Sequence, residues 1–290
     1  MIKRRLILPL LCALASVLCS ARDSSARQQN TLGVSPASVD AKVKRGASYT
    51  ETYTLSNNTA TRLHFRCSVV DYWYDEQNQR VTGRPGTLPH SASPWVQFSP
   101  AEVTVEPHGQ ATVRAIITVP QTAAGGFYTM PVFEATPADA PTPDAPASGG
   151  MTATASIGFR FRGLMMLTTE DAAEYNVEIM AGNVRPPGPS APLELELDVR
   201  NRSTAHARVR GSFTIFDASG ALAGRGRIQE KRFMPGQRGD YRAEWVGDLA
   251  PGRYTVVATL SYDRVGMEPA TLVYELPFEA RDVTASAERR

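Results

Sequence analysis

The chain alternates between apolar and polar residues over most of its length. The clearest example is the segment 193–200, where leucine and valine occupy the odd positions and charged residues occupy the even positions. A period of two is typical of a β-strand with one buried face. Similar segments recur as far as Phe278, separated by turns rich in Gly, Pro and Asn. Beyond the N-terminus no segment has helical periodicity, so the pattern predicts an all-β protein.

Two parts of the chain repeat the same order of strands and turns. In each part an Asn-centred turn, a Pro-Gly turn and a Gly-aromatic turn separate alternating segments. These turns lie at 55–59, 107–110 and 124–129 in the first part and at 199–203, 235–237 and 250–255 in the second. This spacing is typical of an antiparallel sandwich. Because 290 residues can form two domains of ordinary size, we expect two tandem immunoglobulin-like β-sandwiches, at 29–170 and 175–280.

The N-terminus has the pattern of an export signal. Lys3-Arg4-Arg5 is a basic start, and Leu6 to Leu18 is an apolar run too short to span a bilayer comfortably. Small residues follow, so cleavage is expected after Ala21 or Ala26. We therefore predict a signal peptide at 1–26 and a mature chain that is periplasmic or secreted, with no transmembrane segment.

The segment 136–150 consists mostly of Pro, Ala, Asp, Ser and Gly, which predicts a mobile loop. The alternating segment from Met151 to Leu167 follows it and is assigned to the first domain, with the domain boundary at 168–174. Such a long strand, next to a loop, could pair with a partner strand or could simply pair within its own sheet. The charged tail 281–290 is predicted to be disordered.

Composition and spacing exclude several classes of function. The formal net charge is only +2, which argues against a nucleic-acid surface. The four histidines do not have metal-ligand spacing, and there is no phosphate loop or nucleophile elbow. After signal removal Cys67 is the remaining cysteine, on the same strand face as Leu63 and Phe65, which predicts a buried thiol. We expect a non-enzymatic protein without cofactors.

One region is strongly basic. Between Arg200 and Arg232 eight Arg or Lys residues stand against two acids. If they fold onto one face, they could bind an anionic partner such as a cell-wall polymer or a lipid headgroup, although a solvated sheet face is the preferred explanation. The candidate residues of this face are Arg208, Arg210, Arg225 and Arg227.

Two sandwiches after a signal peptide, with a long loop before the last strand of the first, resemble the periplasmic pilus chaperones of the PapD type. The resemblance implies that this last strand lends alternating apolar residues to an incomplete pilin subunit and that a basic residue near the junction binds a carboxylate. The positions that match the client-binding strand are Ala153, Ala155, Ile157, Phe159, Arg160 and Arg162.

The segment Ser93 to Pro100, which leads into Val105 to Gly109, resembles instead the first domain of WxL-interacting surface proteins. The Pro-Gly-x-Tyr-Thr turn at 251–255 resembles their second domain. That resemblance implies an Ig-like module that binds cell-wall polymer or a surface protein. Of the two, we expect a chaperone-like factor that binds a pilin-like or surface subunit by strand pairing.

Overall fold

The computed structural model describes residues 32–75, 77–138, 158–188 and 191–281, which form eighteen strands and one 3₁₀ turn at Ser93–Trp95. The strands of the first half are β1 (Leu32–Ser35), β2 (Ser38–Val43), β3 (Ser48–Asn57), β4 (Leu63–Tyr74), β5 (Arg80–Gly83), β6 (Val96–Ser99), β7 (Glu102–Val105), β8 (Gln110–Thr118), β9 (Gly126–Pro137), β10 (Phe159–Arg162) and β11 (Leu164–Thr169). Those of the second half are β12 (Val177–Arg185), β13 (Leu193–Asn201), β14 (Ala207–Asp217), β15 (Leu222–Phe233), β16 (Arg238–Trp245), β17 (Gly252–Arg264) and β18 (Met267–Ala280).

The first sandwich packs two sheets face to face. One has the order β1-β3-β8-β6, and the other has the order β2-β11-β9-β4-β5, with β10 on β9 and β7 on β4. The inward residues alternate along each strand and form one apolar cluster that includes Tyr53, Phe65 and Phe133. Most pairs are antiparallel, but β11 lies parallel to β2.

The second sandwich has sheets of order β12-β13-β16 and β15-β14-β17-β18. The alternation in β13 gives a strict pattern of buried and half-buried residues, and its leucines pack against Phe213 and Ile215 from the opposite sheet. The prediction of two tandem Ig-like sandwiches in an all-β chain is confirmed.

The Asn-centred turns of the sequence repeat hold the same structure in both sandwiches. Asn57 and Asn201 are each 0% exposed. The side-chain amide of Asn57 donates to three backbone carbonyls, and that of Asn201 donates to the carbonyls of Ala205 and Phe233 at 3.0 and 2.9 Å. Each side-chain oxygen accepts the backbone N–H two residues later. The repeated asparagine therefore replaces backbone pairing where the chain leaves one sheet for the next.

The first two residues of the loop predicted at 136–150 belong to a strand. Thr136 and Pro137 still belong to β9, where they pair with His64 and Leu63 of β4. Their composition indicates a loop, but pairing with a long neighbouring strand outweighs this local preference. Residues 139–157, the segment 1–26 predicted to be a signal peptide, and the tail from 282 lie outside the described residues.

Cys67 is 8% exposed, and it is a free thiol in the core of the first sandwich. Burial, with a smaller contribution from the charge of Glu102, raises the pKa of the thiol to about 11. The prediction of a buried thiol is confirmed. We expect a thiol reagent to label Cys67 only after denaturant is added, because the reactive thiolate is almost absent at neutral pH. Rapid labelling of the folded protein would contradict this packing.

Candidate functional site

β10 lies at the edge of the first sandwich and pairs on one side with β9. Phe159 and Phe161 stand opposite Ala135 and Phe133, whose side chains face the core. Phe161 packs against that core, whereas Phe159 remains 49% exposed. The predicted alternation is present, because the two arginines of β10 lie on the other face.

The register shows which peptide groups of β10 remain unpaired. The N–H of Gly163 donates to the carbonyl of Pro131 at 2.8 Å, so this pair is a hydrogen-bonded pair of the antiparallel ladder. Hydrogen-bonded and non-hydrogen-bonded pairs alternate along such a ladder. The N–H and C=O groups of Arg160 and Arg162 therefore point away from β9, towards the outer edge.

Within the described residues no strand covers that outer edge. β2 covers the neighbouring β11, where pairing begins at Leu164 with Ser38, and the N–H of Leu164 donates to the carbonyl of Ala37 at 3.0 Å. Along the outer edge, β2 therefore covers β11 from Leu164 onwards, whereas β10, before Gly163, has no strand beside it in the described residues.

The predicted strand from Met151 to Leu167 is interrupted in the structure. β10 and β11 pair with β9 in one continuous register, but the ladder is broken at Gly163 between them. Its partner Pro131 has no N–H to donate, which explains the break. Two alternatives were open for this segment: pairing with a partner strand, or pairing within its own sheet. Residues 159–169 pair within their own sheet, with β9. The candidate residues Ala153, Ala155 and Ile157 lie outside the described residues.

The two arginines of β10 differ in their partners. Arg160 forms an ion pair with Glu134, the residue opposite it. Arg162 is exposed and has no hydrogen bond or ion pair within the described part of the chain. It stands opposite Val132, on the sheet face that also carries Met130 and Tyr128. That face turns towards the second sandwich, so Arg162 lies on the side of the domain junction.

The junction itself is apolar at its centre. Tyr72, Tyr128, Met130 and Met166 from the first sandwich form a buried cluster with Met234 from the second. The backbone N–H of Gly126 also donates to the carbonyl of Thr204 at 2.8 Å. These contacts cover the outer face of β9 and β11 next to β10.

A polar network at the edge of the junction joins the two sandwiches. Asp40 in β2 accepts hydrogen bonds from Arg208 and from Nε2 of His206 at 3.3 Å. The hydroxyl of Tyr128 accepts the backbone N–H of His206 at 2.8 Å. Burial alone would raise the pKa of Asp40, but the hydrogen bonds and charges of His206 and Arg208 together outweigh it and lower the pKa to about 2.

Replacing Asp40 with asparagine is expected to lower the free energy of unfolding by about 1 to 3 kcal/mol at pH 7, because it removes charge-assisted hydrogen bonds at the junction. The folded pKa of about 2 lies below the ordinary 3.8. The contribution of the Asp40 carboxylate to the free energy of unfolding should therefore be complete above pH 3.8 and should disappear as the pH falls towards 2. Urea unfolding of both proteins across this range measures it.

Asp171 provides the control for that experiment. It pairs with Arg45, but the carboxylate side chain of Asp171 is 54% exposed, twice the 27% of Asp40, so Asp171→Asn should leave stability nearly unchanged. A stability difference between wild type and Asp40→Asn that persists unchanged down to pH 2 would contradict the assignment to the carboxylate of Asp40.

The candidate anion-binding residues of the second sandwich lie on the outer face of β14 and β15. Two of them are already paired: Arg208 with Asp40, and Arg210 with Asp263 at 2.9 Å. Arg225 and Arg227 are exposed and have no ion pair within the described residues. The positive charge free to meet a ligand is thus smaller than the sequence count indicates.

Sequence reasoning missed the Asp40–His206–Arg208 network. The residues are separated by 166 and 168 positions, so no local spacing connects them. In the described ranges, no group of three or more His, Cys, Asp or Glu could hold a metal ion. No helix of those ranges is long and apolar enough to cross a membrane.

Three solved structures illustrate what the chain is similar to. The class 5 fimbriae chaperone CfaA is 12% identical, with a TM-score of 0.46, over 84% of this chain and 98% of that chain. The E. coli chaperone DraB is 12% identical, with a TM-score of 0.40, over 87% and 98%. A chain from the CsuC–CsuE chaperone-tip adhesion subunit complex of Acinetobacter baumannii is 11% identical, with a TM-score of 0.39, over 84% and 97%. No family model and no curated protein matches the chain.

Proposed function

We propose that this protein is a non-enzymatic, exported binding protein that holds a partner subunit by adding the partner's strand to the outer edge of β10. The role that fits best is that of a chaperone in the assembly of pili or another surface structure. The observation that carries the proposal is the open edge at Arg160 and Arg162, whose peptide groups point out of the sheet.

Strand addition suits this edge physically. Unpaired N–H and C=O groups at a sheet edge provide main-chain hydrogen bonds to an incoming strand, and adjacent side chains provide specificity. Phe159 is half exposed and offers apolar contact area. Arg162 has no partner in the described chain and can bind a carboxylate of the incoming subunit.

The expected partner is therefore an extended segment with apolar residues and at least one carboxylate. In its complex, that segment would continue the sheet order beyond β10 and lie beside Arg162 at the junction. The candidate positions Ala153, Ala155 and Ile157 precede β10 in the sequence and lie outside the described residues.

Arg160→Pro tests the proposal, with Arg160→Ala as the matched control. Proline removes the N–H that points to the outer edge, while the ladder bonds to β9 come from Phe159 and Phe161 and are retained. Alanine removes the same side chain and its ion pair with Glu134 but keeps the N–H.

Partners are captured from the envelope of the native host and identified by mass spectrometry, and their affinity is then measured with both variants. We expect Arg160→Pro to lose the partner and Arg160→Ala to keep it. Equal binding by both variants, with both proteins folded, would contradict strand addition at this edge.

A further inference from the structure

A cavity of about 680 Å³ lies where the β4–β5 turn of the first sandwich meets the β15–β16 turn of the second. Its volume is typical of a site for a small molecule, or for one side chain of a peptide together with the adjacent residues of that peptide. The amide of Asn78 donates to the carbonyl of Arg238 at 2.6 Å and so joins the two turns beside the cavity.

The wall of this cavity combines apolar and acidic groups. Trp73, Tyr74 and Met234 provide the aromatic and apolar part, and Asp75 and Asp240 provide two carboxylates. His90 stacks on the indole of Trp73, with ring centroids 5.0 Å apart and planes 11° apart, and so supports the ring.

The position of one carboxylate is fixed by its own turn. Oδ1 of Asp75 accepts the backbone N–H groups of Gln77 and Gln79 at 3.0 and 2.8 Å. Within the described residues neither Asp75 nor Asp240 forms an ion pair with a basic side chain. Both charges are therefore free to meet a ligand.

Arg238, the basic residue among the described residues of the lining, is already paired with a carboxylate. Nε of Arg238 donates to both carboxylate oxygens of Asp198, at 2.7 and 2.8 Å, and its Nη2 donates to the same carboxylate. With this pair counted as neutral, the described lining carries the two carboxylates of Asp75 and Asp240, while Nζ of Lys231 donates to the backbone carbonyl of Asp240 rather than to its carboxylate.

We propose that this cavity binds the side chain of a lysine or arginine from a protein partner. These side chains have an apolar stem and a cationic tip, which match the apolar wall and the two carboxylates. Aromatic rings also attract a cation through their quadrupole. A neutral sugar would use the rings but would gain nothing from the two negative charges.

This site is separate from the β10 edge. β4 and β9 are antiparallel, so the C-terminal end of β4 lies beside the start of β9, whereas β10 pairs with residues 132–135 near the end of β9. The two sites also lie on opposite flanks of β9, since β4 is on one side and β10 on the other.

The test uses short peptides as probes: acetyl-Gly-Lys-Gly-amide, its arginine analogue, and the norleucine analogue as an uncharged control. Nuclear magnetic resonance follows the indole N–H of Trp73 and the backbone amides of the two turns in the purified protein. We expect saturable shifts with the lysine and arginine peptides, and binding to the norleucine peptide weaker by about tenfold or more.

The double variant Asp75→Asn, Asp240→Asn should weaken the binding of the lysine peptide by about tenfold. Asparagine retains the oxygen that caps the turn at position 75. Asp217→Asn is the matched control, because Asp217 caps a turn in the same way, with Oδ1 accepting the N–H groups of Ser219 and Ala221, but lies at another cavity.

Equal shifts with the lysine and norleucine peptides would overturn the proposal. So would unchanged lysine binding in the double variant. Neutral oligosaccharides that shift the same signals while the charged peptides do not would assign the cavity to sugars instead.

Discussion

Asn201→Ala is expected to lower the free energy of unfolding of the second sandwich by about 2 to 4 kcal/mol. Asn201 is 0% exposed. The substitution removes the hydrogen bonds of its side chain with the carbonyls of Ala205 and Phe233 and with the N–H of Ser203, in a place that water does not reach. The small volume of alanine adds a cavity term to this cost.

Urea unfolding followed by the nuclear magnetic resonance signal of the Trp245 indole N–H measures the effect, because this residue packs against the core of the second sandwich. Asn183→Ala, at an exposed position of β12, is the control and should change stability by no more than about 0.5 kcal/mol. Asn57→Ala should have an effect similar to that of Asn201→Ala in the first sandwich. If Asn201→Ala is as stable as the control, the hydrogen bonds of the repeated asparagine do not stabilise the sandwich.

Arg162→Ala is expected to weaken binding of the partner subunit by at least about tenfold, since a desolvated charge pair is costly to break. Thermal stability should be nearly unchanged, because Arg162 is exposed and has no partner in the described part of the chain. Arg162→Lys should restore part of the affinity, as it keeps the charge but loses the planar guanidinium.

The comparison with Arg225→Ala and Arg227→Ala separates two interpretations. If the partner binds at β10, these exposed substitutions in β15 should leave its affinity unchanged. Losses confined to the β15 variants, with normal binding by Arg162→Ala, would favour an anionic ligand on the second sandwich and contradict the chaperone proposal.

The period-two alternation predicted the fold class because it arises within each strand. The residues that face the core are apolar and those that face solvent are polar, so the pattern is visible without knowing which strands pair. The 193–200 segment and the burial of Cys67 are examples. The repeat of the Asn turns was visible in the sequence, but the hydrogen bonds of Asn57 and Asn201 required the structure, since their acceptors lie up to 49 residues away.

Features that depend on pairing between distant segments could not be predicted in this way. The break at Gly163 arises from Pro131 on the neighbouring strand, and the extension of β9 to Pro137 arises from Leu63 on β4. The pairing of Arg208 with Asp40 depends on how the two sandwiches dock. For the candidate site, the sequence indicated the strand and its arginines, whereas only the register showed which peptide groups face outwards.

Amide hydrogen exchange at Arg160 and Arg162, with and without the bound partner, tests the central proposal most directly. In the free protein both N–H groups point out of the sheet and should exchange rapidly, whereas Phe161, paired with β9, should exchange more slowly. Added pairing with a partner strand should slow exchange at both arginines by more than about tenfold. Unchanged exchange at Arg160 and Arg162 in a saturated complex would contradict strand addition at β10.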